Sequence, residues 1–411
     1  MQNSKRVLLL TQWFDPEPTF KGLVFARKLV MQGFDVEVVT GFPNYPGGKI
    51  YSGYKVKWLQ REVKDGVRIT RLPLYPSHDQ SSIKRIFNYI SFALSSLIYL
   101  LFFAKKSDVM YAYHPPLTIG ITASIVRFFR RIPVVYDIQD MWPDTLRATG
   151  MLSNAFALRI VSALCHLVYR AVDHIVVLSP GFKNLLIQRG VADEKISLIY
   201  NWADEASLLS PTSQVKDKVS DNNQFKILFA GNMGKAQALH TVLAAAELLQ
   251  LKGSRVCWIM LGAGLELEKL KAETMQRQIK NVIFLPAVPM SEVGAYLKEA
   301  DALLVHLRQD PLFRITIPSK TQAYMAVGKP LLMAVDGDAA ELVKKSSSGI
   351  VSESEDPYRL AEAAQKLADS SVEELELMGF NAKNFYEQHL SLDQGVMRFT
   401  EIFRALISSR S

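Results

Sequence analysis

The chain has 411 residues, 49% hydrophobic and 21% charged, with a formal net charge of +8 and a pI near 9.2. That is apolar content enough for two or three packed domains and excludes a disordered or fibrous chain. The basic balance favours an anionic partner, a nucleotide-sugar or a phospholipid surface; Lys and Arg are scattered and no nucleic-acid-binding motif is present, which sets nucleic acid aside.

In chain order, RVLLLTQ at 6–12 reads as a buried strand. Its apolar run, Val7–Leu10, is too short for the core of a signal peptide, so none is expected. The loop FDPEPTFKG precedes a helical pattern that ends at Gly33, and DVEVVT at 35–40 is the next strand. The first turn lacks G-x-G-x-x-G, which argues against a dinucleotide site and leaves Gly22 alone near the expected helix start. The loop GFPNYPGGKIYSGYK at 41–55 is rich in turns and aromatics, a composition that borders a sugar or lipid site or makes a plain loop. VRITRLPLY at 67–75 alternates as a strand does.

Residues 86–104, IFNYISFALSSLIYLLFFA, carry no charge, with Lys84 and Arg85 before them and Lys105 and Lys106 after. The run could span a bilayer by length. A span would place RVLLLTQ and DVMYAY, two members of one sheet, on opposite sides of the membrane. Two readings remain: full burial under the sheet, or a helix dipping into the membrane face between basic anchors. The second is preferred. RFFRR at 127–131 adds a basic and aromatic patch.

DVMYAYHPPLTIG at 108–120 predicts a strand ending at His114 and a helix from about Leu117. PVVYDIQDMWPDTL at 133–146 predicts a strand followed by Asp137, Asp140 and Asp144, with Asp144 the candidate helix cap. Polar groups at the carboxyl ends of parallel strands sit where α/β proteins bind ligands, and a carboxylate there can accept from a substrate hydroxyl or act as a base. Strands at DHIVVLS and KISLIY complete the first half. Cys165 and Cys257 lie in apolar patterns and read as reduced core residues of a cytosolic protein, and no metal-ligand spacing occurs.

Residues 201–220 lose periodicity and read as a linker. The pattern restarts with the strand FKILFAG, followed by NMGKAQALHTVLAAAELL. Gly231 and Gly234 let backbone approach a ligand, and Lys235 stands at a helix start, the usual place for a phosphate in an α/β fold. DALLVHL, RQDPLFRITI and PSKTQAYMAVGKP give a strand, a loop and a short helix, with Ser319 the expected N-cap and Gly328 the C-terminal glycine. The free N–H groups near Lys320, Thr321 and Gln322 attract anions, and Lys320 and Arg314 add charge. Two such helix starts, each with a lysine, point to a diphosphate. From Asp393 the pattern is amphipathic through Val396, Phe399, Ile402, Phe403 and Leu406.

Taken together, GNMGKAQ, the DALLVHL…DPLFRITIPSKTQAYMAVGKP stretch, DIQDMWPD and HPPLT resemble glycosyltransferase family 4, in a branch similar to bacterial L-fucosamine and related amino-sugar transferases of O-antigen and capsule synthesis. The resemblance implies a GT-B architecture: two Rossmann-like domains facing a central cleft. Residues 1–203, completed by a C-terminal helix over 391–411, would bind the acceptor, and 204–390 the nucleotide-sugar. It implies retaining transfer without a metal or other cofactor, from a UDP-sugar to a polyprenyl-diphosphate-linked saccharide, by a cytoplasmic enzyme held peripherally on the inner membrane face. Gly231, Asn232, Gly234 and Lys235 match the family's phosphate loop, Ser319, Lys320 and Thr321 its phosphate-binding helix start, and His114 the histidine near the transferred sugar. Asn232 stands where the family has arginine, and Ile315 and Ala323 where it has its glutamate pair. A non-catalytic nucleotide-sugar-binding protein and a GT-B sugar-nucleotide epimerase are the rival classes.

Overall fold

The computed structural model describes residues 4–77, 82–209 and 223–410, and the chain divides into two compact α/β units, Met1–Tyr200 with Gly395–Ser411, and Asn201–Gln394.

The first unit begins with β1 (Arg6–Leu10), α1 (Leu23–Met31), β2 (Asp35–Gly41), β3 (Gln60–Lys64) and β4 (Val67–Leu72). It continues through α2 (Ser82–Phe102), β5 (Val109–His114), α3 (Leu117–Arg130), β6 (Val134–Ile138), α4 (Asp144–Ala148), α5 (Ala155–Ala171), β7 (His174–Val177), α6 (Pro180–Gln188) and β8 (Ile196–Leu198). The sheet runs β3-β4-β2-β1-β5-β6-β7-β8, parallel except for β3 on β4. β5 and β6 are buried throughout, as central strands covered by helices on both faces must be. The strand order reverses between β1 and β5, which opens a crevice at their carboxyl ends.

β3 was not expected. Its sequence, QREVK, is polar because it is an exposed edge, and Asp65 and Gly66, with φ of 50° and 78°, make the tight turn into β4.

The uncharged run is α2 and the residues after it. Its inner side carries Asn88, Phe92, Ser96 and Tyr99, all buried; the Tyr99 hydroxyl donates to Glu37 Oε1 at 3.0 Å. Only 28% of its apolar window is buried, which overturns full burial under the sheet. Ile86, Phe87, Ile90, Leu94, Ile98 and Phe102 lie exposed on the outer side.

The second unit holds α7 (Glu205–Leu209), β9 (Phe225–Ala230), α8 (His240–Leu251), β10 (Val256–Leu261), α9 (Leu267–Gln276), β11 (Val282–Leu285), α10 (Met290–Glu299) and β12 (Ala302–His306). Then come α11 (Pro311–Arg314), α12 (Ser319–Val327), β13 (Leu331–Ala334), α13 (Asp338–Ser346), β14 (Gly349–Val351), α14 (Pro357–Asp369), α15 (Val372–Phe385) and α16 (Leu392–Ser408). Its parallel sheet runs β11-β10-β9-β12-β13-β14, so the order reverses between β9 and β12. Phe225, Ile227 and Phe229 of β9 and Trp258 of β10 anchor a core closed by α8 and α14. The expected linker is in part ordered: Leu208 of α7 is buried, and a side chain on Gly294 of α10 would strike its carbonyl. Residues 210–220 of that stretch lie outside the described residues.

From Gly395 onward α16 packs on the first unit. Phe399 is fully buried, with ring centroids 5.3 Å from Phe25 and 5.4 Å from Tyr111; Phe403 lies 6.2 Å from Phe34.

Candidate active site

In the second unit the loop after β9 starts at Gly231, whose φ of +132° is a conformation glycine alone takes easily. Gly231 N–H donates to Leu261 O at 2.8 Å, Met233 N–H to Ala263 O at 2.8 Å, and Gly234 N–H to Gln237 Oε1 at 3.0 Å. The Asn232 amide has no protein acceptor among the described residues. The loop is fastened across the switch point: Arg308 N–H donates to Ala236 O at 2.9 Å, and His306 Nδ1 to Gln237 O at 2.7 Å. A carbonyl acceptor fixes the His306 tautomer with its proton on Nδ1, and burial holds its pKa down to about 4, so it is neutral.

The helix α12 meets this loop. Tyr324, buried, accepts from Ala230 N–H at 3.0 Å through its hydroxyl, which ties the helix to the end of β9. Lys320 lies directly over Gly231: a Cβ there would sit 2.8 Å from Lys320 Cε and 3.2 Å from Nζ. The ammonium rests 4.5 Å from the centre of the Phe229 ring, and burial lowers its pKa to about 8. Thr321 is buried with its hydroxyl unpartnered among the described residues. The amides of Ser319 and Lys320 begin the helix and have no acceptor within it. A flexible cation, an unpaired loop amide and a helix N-terminus therefore converge, the combination that holds a phosphate.

Two expectations change. Ser319 is not the N-cap: Pro318 holds that position, no side chain caps the helix, and Ser319 is its exposed first residue. Asp144 is likewise the first residue of α4 rather than its cap, and its carboxylate pairs with Arg189. Lys235 is exposed and lines a hollow of about 200 Å³ with Gly234, Glu266, Lys269 and Glu273. Arg314, also exposed, lines another of about 580 Å³ with Asp336, Glu341 and Lys344. Asp310 caps α11 by accepting from Leu312 N–H at 2.9 Å.

In the first unit His114 closes β5 at the switch point. It is 2% exposed, with Tyr136 and Trp142 edge-on to it at 5.8 and 5.3 Å, and its Nδ1 has no partner among the described residues. Burial lowers its pKa to about 3, so it is a neutral imidazole. Asp140, half-buried two residues beyond β6, has its pKa raised to about 6 by burial alone and is mainly a carboxylate at neutral pH. Sequence reasoning passed over Lys21 and the role of Asp137. Both are buried; Asp137 accepts from Tyr111 at 2.5 Å and from Gln139 at 2.6 Å, and its charge partly offsets the desolvation that lowers Lys21 to about 8. Among the described residues no three His, Cys, Asp or Glu side chains gather as a metal-ligand set.

Two doubly wound parallel sheets, each with polar groups at its switch point, and an anion-ready loop and helix in the second unit define a glycosyltransferase of the GT-B fold. The chain is built from the two domains of that class: residues 23–202 match the glycosyl transferase 4-like domain and 212–385 the glycosyl transferases group 1 domain. It is 26% identical over 309 residues to a candidate colanic acid biosynthesis glycosyl transferase, WcaI, of Escherichia coli K12, covering 73% of this chain and 75% of that one. Sucrose-phosphate synthase of Thermosynechococcus elongatus shares the fold with a TM-score of 0.73 at 14% identity, over 98% of this chain and all of that one. Anabaena HepE, solved with UDP and glucose, shares it with a TM-score of 0.67 at 16% identity, over 97% and 99% of the two chains.

Proposed function

We propose that this glycosyltransferase moves a sugar, an N-acetylated amino sugar, from a UDP-linked donor to a lipid-linked saccharide in bacterial surface-polysaccharide synthesis, with retention at the anomeric carbon and without a metal. The observation that carries the donor side is Lys320 laid over Gly231 at the N-terminus of α12. The complex of Anabaena HepE with UDP supports a uridine nucleotide, and the E. coli relative's name supports the pathway class.

As the bond from anomeric carbon to phosphate oxygen breaks, charge grows on the leaving diphosphate. Lys320, the α12 amides and the loop at Gly231, Asn232 and Gly234 stabilise it, with Ser319, Thr321, Arg314 and Lys235 as further contacts. The acceptor oxygen forms the new bond on the same face, and its proton passes to the leaving phosphate, so no separate base is needed. On the first unit, Asp140 orients the acceptor through its hydroxyl, and His114 serves the reacting sugar as a neutral hydrogen-bonding group. The exposed arc of α2, with Lys84, Arg85, Lys105 and Lys106 beside it, rests against the cytoplasmic membrane where such an acceptor resides.

The test is incubation of the purified protein with radiolabelled UDP-sugars and a polyprenyl-diphosphate saccharide. Label appearing in the lipid fraction supports transfer. A donor that binds and is never consumed would make the protein a nucleotide-sugar-binding one, and a donor converted to its epimer would make it an epimerase.

A further inference from the structure

Three half-buried aromatic side chains from separate segments of the first unit meet at one corner: Trp13 after β1, Tyr45 after β2, and Tyr89 on α2. The Trp13 and Tyr45 rings lie 4.8 Å apart with planes 33° from parallel, and Tyr89 stands edge-on to Trp13 at 6.5 Å and 72°. Neighbouring Phe14 and Phe42 are fully buried, so the fold had core available and left these three rings partly open.

Buried polar groups brace the corner. Glu17, 3% exposed, accepts three backbone N–H groups: Phe14 at 3.2 Å and Asn44 and Tyr45 at 2.7 Å each, which locks the first loop to the second. Asn88, 2% exposed, accepts from the Gln12 amide and donates to Asn44 Oδ1 at 3.3 Å and Tyr75 O at 2.6 Å, which locks α2 to both. A buried carboxylate and a buried amide spent on holding two loops and a helix in register indicate a surface whose shape matters.

The chemistry at the corner is selective. Asp140 is the carboxylate whose charge reaches Tyr45 and Tyr89, and Arg85 acts on Tyr89 from one turn earlier on α2. A flat aromatic face covers the C–H face of a pyranose, and a nearby carboxylate accepts from its equatorial hydroxyls. A lipid tail would not need the carboxylate. From these observations we propose that Trp13, Tyr45 and Tyr89, with Asp140 at their margin, form the subsite for the pyranose ring of the acceptor saccharide. The assignment rests on the transferase function proposed above. The outer arc of α2 begins at Ile86, so the helix that supplies Tyr89 also carries the apolar face assigned to the membrane.

The test uses the full-length protein and methyl pyranosides of glucose, galactose, mannose, fucose and N-acetylglucosamine as probes, by saturation-transfer NMR. At least one should receive saturation, strongest at ring C–H protons. Trp13→Ala and Tyr89→Ala should weaken that binding about tenfold, the worth of one aromatic contact, while Trp13→Phe keeps most of it. UDP-induced thermal stabilisation should be unchanged in all three, which shows that the variants are folded. Wild-type protein that binds none of the pyranosides, or Trp13→Ala and Tyr89→Ala proteins that bind them as the wild type does, would overturn the subsite. Sugar transfer seen together with either result would leave the transferase function standing and remove only this assignment. Pyranoside binding lost in Trp13→Ala, with no UDP-sugar consumed, would remove the transferase function and with it the acceptor assignment, leaving the corner as a sugar-binding site only.

Discussion

Lys320 allows the sharpest test of the donor site, because its burial makes its charge conditional. Among the described residues no carboxylate holds its proton, and desolvation lowers it to about 8. A diphosphate would restore the charge and with it a pKa near the solvated value of about 10.4. The sign follows: a base whose pKa rises on binding takes up a proton, so affinity falls as pH rises above the free value. With about 8 and about 10.4 as the two limits, affinity for UDP should drop about tenfold between pH 7 and pH 9, and binding at pH 8 should take up about half a proton. Titration calorimetry in buffers of different ionisation enthalpy measures that uptake directly. Lys320→Met keeps the bulk over Phe229 and Gly231 and removes the charge. It should abolish the uptake, flatten the pH profile and weaken UDP by about 1.5–3 kcal/mol at pH 7, the worth of one charge-assisted hydrogen bond. Proton uptake near zero at pH 8 in the wild type, with equal affinity at pH 7 and 9, would refute the placement of the diphosphate at Lys320.

Gly231→Ala puts a Cβ at positive φ and 2.8 Å from Lys320 Cε, so urea denaturation should show a loss of about 1–3 kcal/mol and UDP binding should weaken; unaltered UDP affinity would show that the loop does not approach the nucleotide. Asp140, among Tyr45, Tyr89 and Tyr113, should give the transfer rate an acid limb near pH 6, since protonation replaces a charged acceptor with a neutral and weaker one; Asp140→Asn should be slow and lack the limb while still binding UDP, and His114→Ala should be slow with UDP binding intact. Phe399→Ala empties a fully buried site against Phe25 and Tyr111 and should cost about 3–5 kcal/mol in chemical denaturation of the first unit. The protein should float with anionic liposomes at low salt, less at high salt, and less again with Phe102→Ser and Phe103→Ser; recovery in the lipid-free fraction at low salt would show that α2 is not a membrane face.

Most of the architecture was legible because parallel sheets leave a strong sequence signal. Strands buried on both faces become uninterrupted apolar runs such as VMYAYH and VCWIML, and α16 shows the spacing of Val396, Phe399 and Phe403 that its burial requires. Polar elements were not legible. β3 is an edge strand with nothing to bury, so only the Asp65-Gly66 turn could have disclosed it. α7 is five residues long and is fixed by Leu208 against α10, a contact that no local pattern announces. α2 was ambiguous for another reason: a buried crossover helix and a lipid-facing one have the same composition, and only the sheet beneath decides which arc is covered.

The candidate site divides in the same way. Glycines, lysines and strand-end acids could be picked out because their usefulness depends on residue type and on position at a switch point. The groups that hold them could not, because their partners are remote in sequence. Tyr324 reaches Ala230 across 94 residues, His306 reaches Gln237 across 69, and Asn88 reaches Gln12 across 76. None of these three is remarkable in its own helix or strand, yet each fixes a loop that carries candidate chemistry. Lys320 shows what this does to function. Its position at a helix start can be read from PSKTQ, but its proton affinity is lowered by burial, in a place formed by Phe229 of β9 and Gly231 in the loop after it, some 90 residues away in the chain. Residue type therefore selects the anion, and the packing around the lysine sets the pH at which it can hold one.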